Sequence, residues 1–147
     1  MKRFIRCTCL LLSMVMVLAT PAFAAETMEP KGSSFFGSSS VFLCNVSRTS
    51  FEAWFEVTGV SRMDAIGVNF IKIQQSSDGS NWTTVKTYTK ESYTNLIDYN
   101  STTHSAGVSY TATGGYYYRA YIQLYAKKGV NFGTMDEYTS RIYIPAS

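Results

Sequence analysis

The chain has 147 residues, about one domain's worth, with 46% hydrophobic and 15% aromatic residues and a formal charge of +3. It is too apolar for a disordered chain, and three cysteines are too few for a disulfide framework. The basic excess sits in Lys2, Arg3 and Arg6. From Ala25 onward 10 basic residues face 10 acidic ones, and the electrostatic case for a nucleic-acid partner disappears.

Met1 to Cys7 is short and basic, Thr8 to Thr20 is apolar, and Ala22-Phe23-Ala24 follows Pro21 as a small-x-small site. This layout predicts a secretory signal peptide over residues 1–24, cleaved between Ala24 and Ala25. The apolar run is shorter than the roughly 20 residues a membrane span needs. The expected product is a secreted, extracellular chain with no membrane attachment after cleavage. Its lone cysteine, Cys44, is expected to be buried with Phe42 and Val46 on one strand face.

Residues 25–40 read as a flexible leader rich in Ser and Gly, and 41–147 as one domain. Val41 to Val46 is the first expected strand. Phe51, Ala53, Phe55 and Val57 then alternate with Glu52, Trp54, Glu56 and Thr58, the period of a half-buried strand. Between Phe70 and Ile71 the apolar residues change from even to odd positions, which predicts a bulge or burial on both faces. Asp78-Gly79 marks a hairpin into a strand from Trp82 to Thr89.

Lys90 to Ala106 carries no clear period and reads as a turn of helix or a loop packed on the sheet. Val108 to Ala112 is a short strand. Tyr116 to Lys127 is the longest, with Tyr118, Ala120, Ile122 and Leu124 opposite Tyr117, Arg119, Tyr121, Gln123 and Tyr125. Lys128 to Met135 reads as a loop and Tyr138 to Ile144 as the last strand. About seven strands and no capped helical period predict an all-β chain, a single antiparallel β-sandwich of immunoglobulin-like or fibronectin type III-like shape, with a small open barrel as the other solution. Its core is expected from Phe55, Ile71, Ile73, Tyr118, Ala120, Ile122, Ile142 and Ile144.

Gly115 to Ile122, GYYYRAYI, resembles the penultimate strand of fibronectin type III-like domains. Gln75 to Tyr88, QSSDGSNWTTVKTY, resembles a strand-turn-strand hairpin common in secreted bacterial modules. With the signal sequence and the AKKG that ends the long strand, the chain is similar to a family of small secreted proteins of Gram-positive bacteria, a domain of unknown function. The resemblance implies fold and location and carries over no catalytic residue. The Cys…Trp…Cys arrangement of antibody domains is missing.

His104 stands in a Ser- and Thr-rich stretch with no Gly-x-Ser-x-Gly or comparable signature. Glu52 and Glu56 lie roughly 13 Å apart along a strand, too far for a glycosidase pair. No calcium-loop or phosphate-loop spacing occurs, so no cofactor and no metal are expected. The aromatic residues carry the functional expectation. Trp54, Tyr117, Arg119, Tyr121 and Tyr125 are the candidate surface of a non-catalytic binding or interaction module whose partner is an extracellular glycan or protein. Two other readings are a self-assembling structural protein and a hydrolase without a recognisable motif.

Overall fold

A computed structural model describes residues 34–146. The expected signal peptide, its cleavage point at Ala24 and Ala25, and most of the expected leader lie outside the described residues.

Among the described residues the chain is all-β. Its strands are β1 (Phe36–Asn45), β2 (Ser50–Ser76), β3 (Thr83–Thr89), β4 (Ile97–Thr111), β5 (Tyr116–Lys128), β6 (Asn131–Tyr138) and β7 (Ile142–Ile144). All pairings are antiparallel and belong to one sheet. β1 begins at Phe36, so the last five residues of the expected leader are part of the first strand. No helix among the described residues is long and apolar enough to cross a membrane.

The 27-residue β2 organises everything else. Its first half, Ser50 to Thr58, lies between β1 and β4. Its second half, Ala65 to Ser76, has β5 on one side, with the start of β4 and then β3 on the other. β6 and β7 pair with the far edge of β5. The sheet curls where the halves meet. The β2–β4 register slips between Thr58 and Met63, and Asn100 on β4 has a φ of 52°, a left-handed conformation that Asn tolerates better than most residues. Arg62 Nε donates to the Asn100 carbonyl at 2.6 Å, so both strands turn the corner together.

Curling brings the two inner faces onto one core. Phe51, Ala53, Phe55 and Val57 of the first half pack with Ile71 and Ile73 of the second, and with Tyr118, Ala120, Ile122 and Leu124 of β5. The Phe51 and Tyr118 rings, one from each half, have centroids 5.5 Å apart. Burying a large side chain of this kind contributes roughly 1.5–3 kcal/mol. A register shift between Val68 and Phe70 leaves Asn69 as the extra residue of β2. It moves the inward phase from Ile66 and Val68 to Ile71 and Ile73, and puts Phe70 on the outer face.

Three expectations change. Lys90 to Ala106 and Lys128 to Met135 are mostly strand, as β4 and β6. Their outer faces meet water, so Ser, Thr and Asn fill positions that hydropathy reads as loop. In β1, Val41 and Leu43 pack on the core, while Cys44 is exposed; Phe42, and Val46 just past the strand's end, are 42% and 61% exposed. The apolar residues of β1 occupy both phases of a period-two pattern, and alternation cannot choose between them.

Candidate functional site

The outer face of the second half is where most of the sequence-derived site residues meet. Strand pairing sets its rows, because paired residues project to the same side of a sheet. Tyr121 lies between Lys72 and Tyr138, Tyr117 between Ser76 and Tyr143, and Tyr125 between Gly67 and Thr134. Tyr117, Arg119, Tyr121 and Tyr125 are each half-buried on this face.

The rings are held by one another and by cations. Tyr121 and Tyr138 stack with centroids 4.8 Å apart and planes 13° from parallel. Phe70 meets Tyr121 edge-on at 5.3 Å. The Arg119 guanidinium lies 4.4 Å from the Trp82 ring and 4.6 Å from that of Tyr138. Lys72 Nζ is 4.6 Å from the Phe70 centroid, Lys90 Nζ 3.8 Å from that of Tyr125, and the Arg141 guanidinium 5.2 Å from that of Tyr117. These are cation–π distances. Sequence reading missed Phe70, Trp82, Lys72, Lys90, Tyr138 and Arg141, because they reach β5 only through pairing or loop closure.

Arg119, Lys90 and Arg141 have neutral polar partners. Arg119 donates to Gln74 Oε1 at 2.8 Å, Lys90 to Asn69 Oδ1 at 2.7 Å, and Arg141 to the Gly79 carbonyl at 2.9 Å. Asp136 brings a carboxylate to this face. It accepts from Gln123 Nε2 at 2.9 Å, and Asn69 Nδ2 in turn donates to Gln123 Oε1. Burial, and then the hydrogen bond and negative charge of Asp136, push the Tyr121 hydroxyl above its ordinary pKa, so it stays a neutral donor at physiological pH.

At the Lys127 end the face opens into a shallow cleft of about 200 Å³ lined by Ala65, Lys90, Ile97, Tyr99, Tyr125 and Lys127. Its floor follows from register. Ala65 sits between Tyr99 and Lys127, and Gly67 between Ile97 and Tyr125, so two small residues of β2 are flanked by larger ones. Ala65 and Ile97 are buried without belonging to the core cluster.

Trp54 does not join this face. It lies on the outer side of the first half, across the core from β5, flat over Gly107, where an added Cβ would stand 2.9 Å from the indole. Its Nε1 donates to Glu52 Oε2 at 2.8 Å, and Ser109 Oγ donates to the other carboxylate oxygen at 2.9 Å. Those two hydrogen bonds hold the Glu52 carboxyl below its ordinary pKa. His104 is in β4 rather than a loop. It bonds the Asn95 carbonyl through Nε2 at 2.8 Å and meets Phe55 edge-on. Among the described residues no group of three or more His, Cys, Asp or Glu side chains gathers in a way that holds a metal ion.

No family model matches the chain, and no curated protein matches it.

Proposed function

We propose that this is a secreted, non-catalytic binding module, and that the outer face of its second half, around Tyr117, Arg119, Tyr121 and Tyr125, is the binding surface for an extracellular glycan or protein. One observation carries the proposal: aromatic rings fixed in place by stacking and by cations whose hydrogen-bond partners are neutral. Rigid amphipathic rings give contact area at little entropic cost, and the adjacent guanidinium and ammonium groups supply directional donors.

The domain type belongs to the same proposal. We read the curled sheet as a fibronectin type III- or immunoglobulin-like β-sandwich in which one continuous strand, β2, serves both layers. Support comes from the strand order, with β1, the first half of β2 and most of β4 in one layer and β3, the second half of β2, the start of β4, β5 and β6 in the other. Further support comes from Tyr118. It is fully buried near the start of β5, and its hydroxyl donates to the Thr113 carbonyl at 2.9 Å and accepts from the Thr113 N–H at 3.0 Å. This is the tyrosine-corner arrangement of such sandwiches. The likeness to small secreted proteins of Gram-positive bacteria, and the signal peptide over residues 1–24, stand as parts of this reading.

A glycan array and an envelope pull-down with the purified chain test it. Tyr117→Ala, Tyr121→Ala and Tyr125→Ala are expected to weaken the captured interaction about tenfold each, as interface aromatics do. An interaction untouched by all three substitutions rules out this face.

A further inference from the structure

The chain from Ala25 onward is neutral, yet its charges are not mixed evenly over the surface. The outer face of the first half presents Glu52 and Glu56, and the residues paired with them across β1 and β4 are Cys44, Ser109, Ser40 and Ser105. The outer face of the second half gathers Lys72, Lys90, Arg119, Lys127 and Arg141, with the carboxylate of Asp136 among them.

These cations form a track along β5. Eight residues separate Lys127 from Arg119, roughly 27 Å of extended strand. Steps along the track are multiples of the roughly 7 Å that separates same-face residues on a strand. That step suits an extended polyanion, including a chain with one acidic group per one or two sugar rings. The cleft at the Lys127 end points the same way. At about 200 Å³ it is smaller than the ~300–1,000 Å³ of a drug-sized pocket, so it holds one ring of a longer ligand. The 69%-exposed Tyr99 offers it a flat wall beside the small Ala65, the Lys90 ammonium lies over the Tyr125 ring opposite, and Lys127 stands at its rim.

We infer that this cleft and the cation track leading from it bind an extended acidic polysaccharide, with one carboxylate-bearing sugar ring seated between Tyr99 and Tyr125. The inference rests on the binding-module reading and narrows it to a ligand class. The ring contributes stacking, its carboxylate takes the Lys90 and Lys127 ammonium groups, and later carboxylates meet Lys72, Arg119 and Arg141. The bases of a nucleic acid find no free stacking platform in the middle of the track, where Tyr121 and Tyr138 already cover one another.

The test is a titration of the purified full chain with hyaluronan, neutral dextran and a single-stranded thymidine homopolymer. Hyaluronan is expected to bind at least about tenfold more tightly than either control, and to weaken about tenfold or more between about 0.05 and 0.5 M salt. Lys127→Gln, and Lys90→Gln with Lys127→Gln, are expected to lower hyaluronan affinity about threefold and tenfold at unchanged melting temperature. Because Lys90 also bonds Asn69, the single Lys127 variant keeps the test valid if the double variant unfolds. Dextran binding as tight as hyaluronan and lost in Tyr121→Ala would overturn the acidic ligand while leaving the aromatic binding face standing. Homopolymer binding as tight as hyaluronan would overturn the sugar assignment. Hyaluronan affinity unchanged in Lys127→Gln would remove the cleft from the site. No binding to any of the three overturns the inference, and the pull-down of the previous subsection separately decides the binding-module reading.

Discussion

Asp78 accepts hydrogen bonds from Ser76 Oγ and from the backbone N–H groups of Ser80 and Asn81, each at 2.8 Å, and from Asn81 Nδ2 at 2.6 Å. The backbone donors of Asn81 and Ser80, followed by the two side-chain donors, hold its carboxyl far below the usual range. In the unfolded chain an Asp titrates near 3.9. A depressed folded pKa means stability that is fully present above about pH 4 and lost as pH falls toward the folded value. Asp78→Asn is therefore expected to melt below the wild type at pH 7, with the gap closing steadily below about pH 4. Melting curves from pH 7 to pH 2 check this, and a gap that stays constant over that range excludes the charged turn as its source. The Asp-Gly pair announced this turn in the sequence. The four donors were not legible there, since Ser, Asn and Asp occur throughout turns and only the backbone path aims them at one carboxylate.

At the scale of an element, the meeting of β2 and β4 depends on Gly67. Its φ is 154°, and an added Cβ would collide with the Leu96 carbonyl oxygen. Leu96 ends the short 3₁₀ turn that leads into β4, and its own side chain is fully buried. The backbone of β4 thus has no room to retreat. Gly67→Ala is expected to destabilise the protein by more than about 1 kcal/mol in urea denaturation, and to widen the distance between β4 and β2 beside the cleft. An unchanged denaturation midpoint would show that the turn can move aside. The elements themselves were only partly readable. β5 was clear because large apolar and polar residues alternate cleanly along it. β4 and β6 were not, because each has a solvent-facing side built of Ser, Thr, Asn or Asp, and their strand state comes from the ladder supplied by β2 and β5.

For the whole molecule, the shared core has a consequence for unfolding. Trp54 reports on the first half of the sheet and Trp82 stands beside Arg119 on the second. Phe51, Phe55 and Val57 of one half pack into the same cluster as Ile71, Tyr118 and Ile122 of the other. Neither half retains a closed core alone, and small domains of this kind unfold cooperatively. Single-tryptophan variants, Trp54→Phe and Trp82→Phe, are expected to show denaturation transitions whose two fluorescence reporters, once corrected for each variant's stability, coincide with circular dichroism. A first-half transition that precedes the loss of secondary structure would mean that the two halves are separable.

The sequence by itself determined part of the core. Of the eight named from alternation alone, Phe55, Ile71, Ile73, Tyr118, Ala120, Ile122 and Ile144 are buried, and Ile142 packs against them half-buried. It also placed Tyr117, Arg119, Tyr121 and Tyr125 on one face, because the period of a strand is a local property of consecutive residues. Only the tertiary structure decided what stands beside that face. Lys72, Phe70 and Trp82 arrive from β2 and the β2–β3 turn, Tyr138 and Arg141 from β6 and the turn after it, and Lys90 from the end of β3. The same curl carries Trp54 to the opposite wall. Strand pairing joins residues far apart in the chain, and one sequence contains the period of each strand but not the register between them.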